Sequence, residues 1–247
     1  MSTVRGLAAQ EALVVWERGG RLPAATRSAA VLDAIRLVRN ERGAAAALPL
    51  GECDAALLRL YAATFGDRID ALASCQSCAI DVELTISCVE LLDGAHGVPV
   101  QPVEESGYVV EWRLPTSTDL ASLGACRDVS EGAELLLHRC VLETRIDGSR
   151  VTTADLPPEV RDAVCAAMVA ADPLAEIILM LQCPECGHRW SSRVDIGMLF
   201  ERCVRTAALR VLNDIHTLAR SYGWSESRIL DLSPARRAAY LELVSDA

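Results

Sequence analysis

The chain contains no lysine. All 24 of its basic residues are arginine, outnumbered by 34 aspartates and glutamates, and the formal charge is −10. So acidic a surface repels phosphate backbones, which disfavours broad nucleic-acid binding and leaves room only for a local basic patch. Aromatic residues make up just 4% of the chain, so alanine, leucine and valine must fill most of the core. No apolar run approaches the ~20 residues of a membrane span, and a short one such as Ile177 to Leu181 leads straight into a cysteine motif. After Met1-Ser2-Thr3-Val4-Arg5, Gln10 and Glu11 soon interrupt the apolar residues. That is not a secretory pattern, and a cytoplasmic location is expected.

Catalytic signatures are missing as well. Neither G-x-x-x-x-G-K-[ST] nor G-x-G-x-x-G occurs, so no phosphate-cradling loop is expected. His96, His138 and His216 lie far apart with no nucleophile motif beside them. Glu104-Glu105 reads as a solvated loop pair rather than an acid/base dyad. Nothing in the sequence argues for an enzyme.

What is present is cysteine, ten residues unevenly placed. Cys53, Cys88, Cys126, Cys140, Cys165 and Cys203 stand alone, mostly in apolar surroundings, and read as small buried hydrophobes. The other four form two C-x-x-C pairs, Cys75/Cys78 and Cys183/Cys186. In a cytosolic chain such pairs suggest metal or redox chemistry before disulfides.

The first seventy residues follow helical spacing. One helix is expected from about Leu7 to Arg18, stopped by Gly19-Gly20, and a second opens at Pro23 with Val31, Ile35 and Val38 inward. A third runs from Glu52 to Thr64, with Gly66 as its stop. The period then changes. Ile80, Val82, Leu84, Ile86 and Cys88 alternate with polar residues after the first pair, and His188, Trp190, Ser192, Val194 and Ile196 do so after the second. Apolar segments, Ile69 to Ala73 and Ile177 to Leu181, precede them. The sequence therefore repeats strand, C-x-x-C, strand.

Between the repeats lies a mixed module. Tyr108 to Leu114 alternates as a strand stopped by Pro115, Thr116 to Asp119 has capping-box spacing, and Ser130 is placed to cap a helix through Cys140. Asp147-Gly148 marks a tight turn, and Pro158 opens a helix ending before Asp172-Pro173. Asp93 to Glu105 reads as a flexible linker. Past the second repeat, Ile196, Phe200, Val204, Ala208, Val211, Ile215, Leu218 and Tyr222 keep helical spacing to Gly223, and Ser225 and Ser233-Pro234 open two more helices. The expected fold is α+β and helix-rich, divided as a helical segment 1–70, a knuckle pair with its inserted module 71–200, and a helical segment 201–247.

Two residues between cysteines let both thiolates face one ion, and zinc takes four such ligands in a tetrahedron. Cys75, Cys78, Cys183 and Cys186 would make one shared structural site, with the module looped out between the pairs. Cys183-Pro184-Glu185-Cys186-Gly187 is the stronger knuckle, because Gly187 tolerates a positive φ; Cys75-Gln76-Ser77-Cys78-Ala79 lacks that aid. His188 could replace a cysteine as ligand, but as the first residue of a strand pattern it reads first as an ordinary surface or core histidine. Metal-free cysteines and thiol exchange stay open, although a redox C-x-x-C normally precedes a helix rather than a strand. A catalytic zinc would need an open water position.

Further signals sit in the C-terminal stretch. Ile215-His216-Thr217-Leu218-Ala219, Tyr222-Gly223-Trp224-Ser225-Glu226, Ile229-Leu230, Leu232-Ser233, Arg236-Arg237 and Tyr240-Leu241 together resemble the T4-type baseplate hub assembly chaperones of contractile-tailed phages and contractile injection systems. Leu48-Pro49-Leu50-Gly51, Leu114-Pro115-Thr116 to Asp119-Leu120, and the Cys183 knuckle leading to Asp195-Ile196 are similar too; Ala79 departs from the usual glycine. The resemblance implies a non-enzymatic assembly factor or minor baseplate component that binds hub or spike proteins and not a membrane. It also implies residence in the cytoplasm or on the tail particle. Tyr222, Trp224, Arg236, Arg237 and Tyr240 are the candidate partner surface, since Tyr, Trp and Arg are favoured anchors. A zinc-ribbon nucleic-acid-binding regulator is the alternative, and it requires a basic face on an acidic chain.

Overall fold

The computed structural model describes residues 4–19, 26–38 and 44–245. Three helices open the chain: α1 (Ala9–Gly19), α2 (Arg27–Val38) and α3 (Leu50–Phe65). Gly20 and Pro23 lie outside the described residues. Leu57, Leu58 and Leu60 of α3, Val31 and Ile35 of α2, and Val15 of α1 are all buried in one core. Both phenylalanines of the chain meet there: Phe65 and Phe200 lie 6.2 Å apart between ring centroids, with Tyr61 5.2 Å from Phe65. Gly66 ends α3 at φ 97°. Gly51 is required at the other end, because a Cβ there would meet Asp172 Oδ1 at 1.8 Å. The Gly51 amide donates to that carboxylate (2.9 Å), and the Leu50 amide donates to the Pro115 carbonyl (3.1 Å), so α3 is fastened to the inserted module.

Two antiparallel ribbons follow the expected period-2 pattern. β1 (Arg68–Ser74) pairs with β2 (Asp81–Ser87), and β7 (Ile177–Gln182) pairs with β8 (Arg189–Val194). Both turn their inner faces to the same core, with Ile69 and Ile86 from one ribbon and Ile177 and Val194 from the other. The expected strands stop short of Cys88 and Ile196. Cys88 instead begins a helix, α4 (Cys88–Gly94), and Ile196 begins α8 (Ile196–Tyr222), the helix that its apolar stripe predicts. The preceding residues explain the change: Ser87 accepts from the Glu90 amide, and Asp195 accepts from the Met198 amide, so both are N-caps.

The inserted module has its own core. A four-stranded sheet in the order β3 (Val103–Glu105), β4 (Tyr108–Trp112), β5 (Val141–Ile146), β6 (Ser149–Arg150) packs Val110 and Trp112 against Leu137 of α6 (Val129–Cys140) and Val160 and Val164 of α7 (Pro158–Ala171). The turn between β5 and β6 is the expected one, with Asp147 at φ 49° and Gly148 at φ 77°. A full capping box forms at Thr116 and Asp119, opening α5 (Ser117–Ala121). Asp119 is buried and chelated by Arg113 (2.6 Å) and Arg139 (2.9 Å), which hold its carboxyl far below the usual carboxylate range. Two expectations change. The cap of α6 is Asp128, whose carboxylate accepts from the Glu131 amide, not Ser130. Nor is 93–105 a free linker: the Val98 amide donates to the Ala170 carbonyl (3.0 Å), Trp112 Nε1 donates to the Gln101 carbonyl (2.9 Å), and its last three residues are β3.

After β8, α8 runs for 27 residues and ends at Gly223 in the left-handed region, φ 66°. Two short helices, α9 (Glu226–Leu230) and α10 (Pro234–Ser245), fold back onto it and onto Leu13 of α1 through Val211, Ile215, Leu218 and Ile229. Among the described residues no helix is long and apolar enough to cross a membrane.

Candidate metal centre

Each knuckle is closed by the same pair of backbone hydrogen bonds. The Cys75 amide donates to the Ile80 carbonyl (2.8 Å) and the Ala79 amide to the Cys75 carbonyl (2.9 Å). The Cys183 amide donates to the His188 carbonyl (2.9 Å) and the Gly187 amide to the Cys183 carbonyl (3.0 Å). Ala79 and Gly187 both sit in the left-handed region, at φ 60° and 71°. The positive φ expected at Gly187 is thus adopted at Ala79 too, where the Cβ makes it costly.

The two knuckles meet. Cys75 Sγ lies 3.7 Å from Cys186 Sγ, Cys78 Sγ lies 3.6 Å from Cys183 Sγ, and the four sulfurs all fall within 4.8 Å of one another. Disulfides are far shorter, ~2.05 Å. A tetrahedron of sulfurs each ~2.3 Å from a central zinc has an edge of ~3.8 Å, and the cross-knuckle distances match that edge. The four cysteines therefore fit one metal ion, the first cysteine of each pair buried and the second exposed.

The electrostatics point the same way. Amide hydrogen bonds from Cys78 and Ser77 bring the Cys75 thiol down to about 6. The Ile80 amide favours the Cys78 thiolate, but the neighbouring sulfurs of Cys186 and Cys183 oppose it and push Cys78 up to about 12. Four crowded sulfurs cannot all carry negative charge without a cation among them. Beneath them Trp190 is buried with Ala73, Val82 and Leu181. His188 lies outside the four-sulfur group and stacks on Trp190 at 6.0 Å between centroids.

The candidate partner residues fall at a different place, where α8, α9 and α10 meet. Tyr222 stacks on Trp224 (4.7 Å), Tyr240 meets Trp224 edge-on (4.8 Å), and the Arg228 guanidinium sits 5.0 Å from the Trp224 ring centroid. Arg236 is exposed. Arg237 is not a surface arginine: it is buried and its Nε faces Asp214 Oδ2 at 3.4 Å. Sequence reading placed it by its neighbour Arg236, although one residue along a helix turns the side chain to another face. Of the six isolated cysteines, Cys53, Cys88 and Cys140 are buried, Cys126 and Cys203 partly so, and Cys165 is exposed.

The repeat is longer than two strands and a knuckle. Ile69, Cys75, Cys78, Ala79, Ser87 and Cys88 recur at a constant offset as Ile177, Cys183, Cys186, Gly187, Asp195 and Ile196, so the N-cap and helix start belong to it. The signal was in the sequence as Ser87 and Asp195, each at the end of an alternating run.

Comparison with known proteins adds one match. The model of the family described as T4 bacteriophage base plate protein covers residues 22–200, well over half of the chain, ending just inside α8. No curated protein and no solved structure matches the chain.

Proposed function

The chain belongs to the T4 bacteriophage base plate protein family, and from that premise we propose that it is a non-enzymatic assembly factor, a chaperone or minor component of the baseplate hub of a contractile tail or injection system. The family match carries the reading, and the four-cysteine centre gives it a physical basis. A protein that shapes partners needs a rigid frame, and one ion held by both knuckles would tie residues over a hundred positions apart in the sequence. Zinc suits four thiolates, and it would act as a staple because binding energy at a site absent from the unfolded chain is folding energy. The corner of Tyr222, Trp224 and Tyr240, with exposed Arg236 beside it, is the proposed contact surface for a hub or spike protein.

The test is to co-express the tagged chain with the hub, spike and baseplate proteins of its own gene cluster and identify what co-purifies. A stoichiometric complex that is missing from mature particles supports the chaperone role. Retention in the particle makes the chain a structural component. Failure to bind any of these proteins overturns the assembly reading.

A further inference from the structure

The long helix α8 has two faces of opposite character. Val204, Ala208, Val211, Ile215 and Leu218 are buried. On the opposite side Arg202, Arg205, Leu209, Arg210, His216 and Arg220 are exposed. At 3.6 residues per turn they spread over an arc of ~140° along ~27 Å of helix. The acidic residues of α8 border this face, Glu201 one turn before Arg205 and Asp214 one turn after Arg210, and both are engaged elsewhere: Glu201 with Arg27 (3.2 Å) and Asp214 with Arg237 (3.4 Å). Arg202 donates one N–H to the Asp70 carbonyl (3.0 Å). Among the described residues, no carboxylate or carbonyl partners Arg205, Arg210 or Arg220. Other arginines do meet carboxylates, as at Asp119, Glu143 and Glu131. In a chain of formal charge −10, four exposed arginines on one side of a helix whose own acids are engaged elsewhere are a local inversion of charge.

We propose that this face docks an acidic surface of a neighbouring baseplate protein. The inference rests on the assembly reading and names a second contact, most of it beyond the segment that matches the family. Charge complementarity selects the partner's sign. The apolar contact selects its class: Leu209 and Met198, each about half exposed, lie on the same side and suit a protein surface. A nucleic-acid duplex fits less well. Its charge continues every ~1.7 Å along its axis, so beyond the ends of this face it would run over a surface of its own sign.

The test measures affinity between the full-length, zinc-loaded chain and each purified baseplate protein of its gene cluster, at low and high salt. Wild type is compared with the double reversal Arg205→Glu/Arg210→Glu, with Arg210→Glu alone, and with Arg59→Glu, an exposed control on α3 with the same charge change. The expected result is salt-sensitive binding, weakened about tenfold or more by the double reversal, less by Arg210→Glu, and within about twofold of wild type for Arg59→Glu. Zinc content and circular dichroism check folding; should the double reversal misfold, Arg205→Gln/Arg210→Gln is expected to weaken binding about threefold. Equal binding by wild type and these variants overturns this face while leaving the assembly reading intact. Tighter, arginine-dependent binding to a DNA duplex overturns the choice of partner. If the wild type binds no baseplate protein, the assembly reading itself fails.

Discussion

The two knuckle units share a backbone and differ in their side chains. Both use the same pair of hydrogen bonds, the same left-handed residue after the second cysteine, and the same N-capped helix after the second strand. The first unit places Val82 where the second places the buried Trp190, and Ala79 where the second has Gly187. Its helix is α4, with seven residues, where the second launches α8, with 27. The lesson is a division of labour. Geometry at the sulfurs is held in common, because four thiolates around one ion tolerate little variation. Packing beneath the ion is concentrated in the second unit, which also supplies the helix whose residues enter both helical cores.

That asymmetry gives graded expectations. Removing the metal acts on both units at once and has the largest effect: chelation is expected to lower thermal stability by more than 10 °C, given an apparent binding energy of roughly 10–16 kcal/mol for structural zinc. The effect is followed by circular dichroism, and lowering the pH should reproduce it as protons compete for the thiolates. Substitution of the buried layer separates the units. Trp190→Ala is expected to cost about 3 kcal/mol by denaturant unfolding of the metal-loaded protein and Val82→Ala about 1 kcal/mol; equal costs would break the claim that the second unit carries the packing. The caps come next. Asp195→Ala should destabilise by about 1.5 kcal/mol and Ser87→Ala by about 1 kcal/mol, since Asp195 also pairs with Arg27 (2.6 Å). The smallest pair tests the left-handed position: Ala79→Gly is expected to stabilise by about 0.5–1 kcal/mol, and Gly187→Ala to destabilise by about 1 kcal/mol. The opposite sign at Ala79 would mean that its conformation is not strained.

The period-2 runs made both ribbons legible; Gly66 and Gly223 marked helix ends because glycine takes a positive φ without a Cβ penalty, and Pro158 marked a helix start because its ring presets φ. Cys88 reads as the end of a strand, and Ile196 fits both the strand pattern and the helical stripe that it in fact opens, for a physical reason. An apolar residue continues an alternating pattern equally well as the last residue of a strand or the first of a helix, and only the capping side chain before it decides. Segment 93–105 carries Gly and Pro, which mark irregular backbone, but irregular is not mobile when Val98 and Gln101 are hydrogen-bonded to distant elements. At the metal centre the four cysteines were visible as pairs, whereas their meeting depends on two ribbons packing on one core. The arginine face of α8 was also present as spacing, hidden behind the apolar stripe on its other side.

The central claim is that both knuckles hold one ion, and metal stoichiometry tests it most directly. Protein purified without chelator should contain about one zinc per chain, and Cys75→Ser/Cys78→Ser and Cys183→Ser/Cys186→Ser should each lose it completely. Two zinc ions in the wild type, or half the metal retained when either pair alone is replaced, would mean independent knuckles and contradict the shared centre.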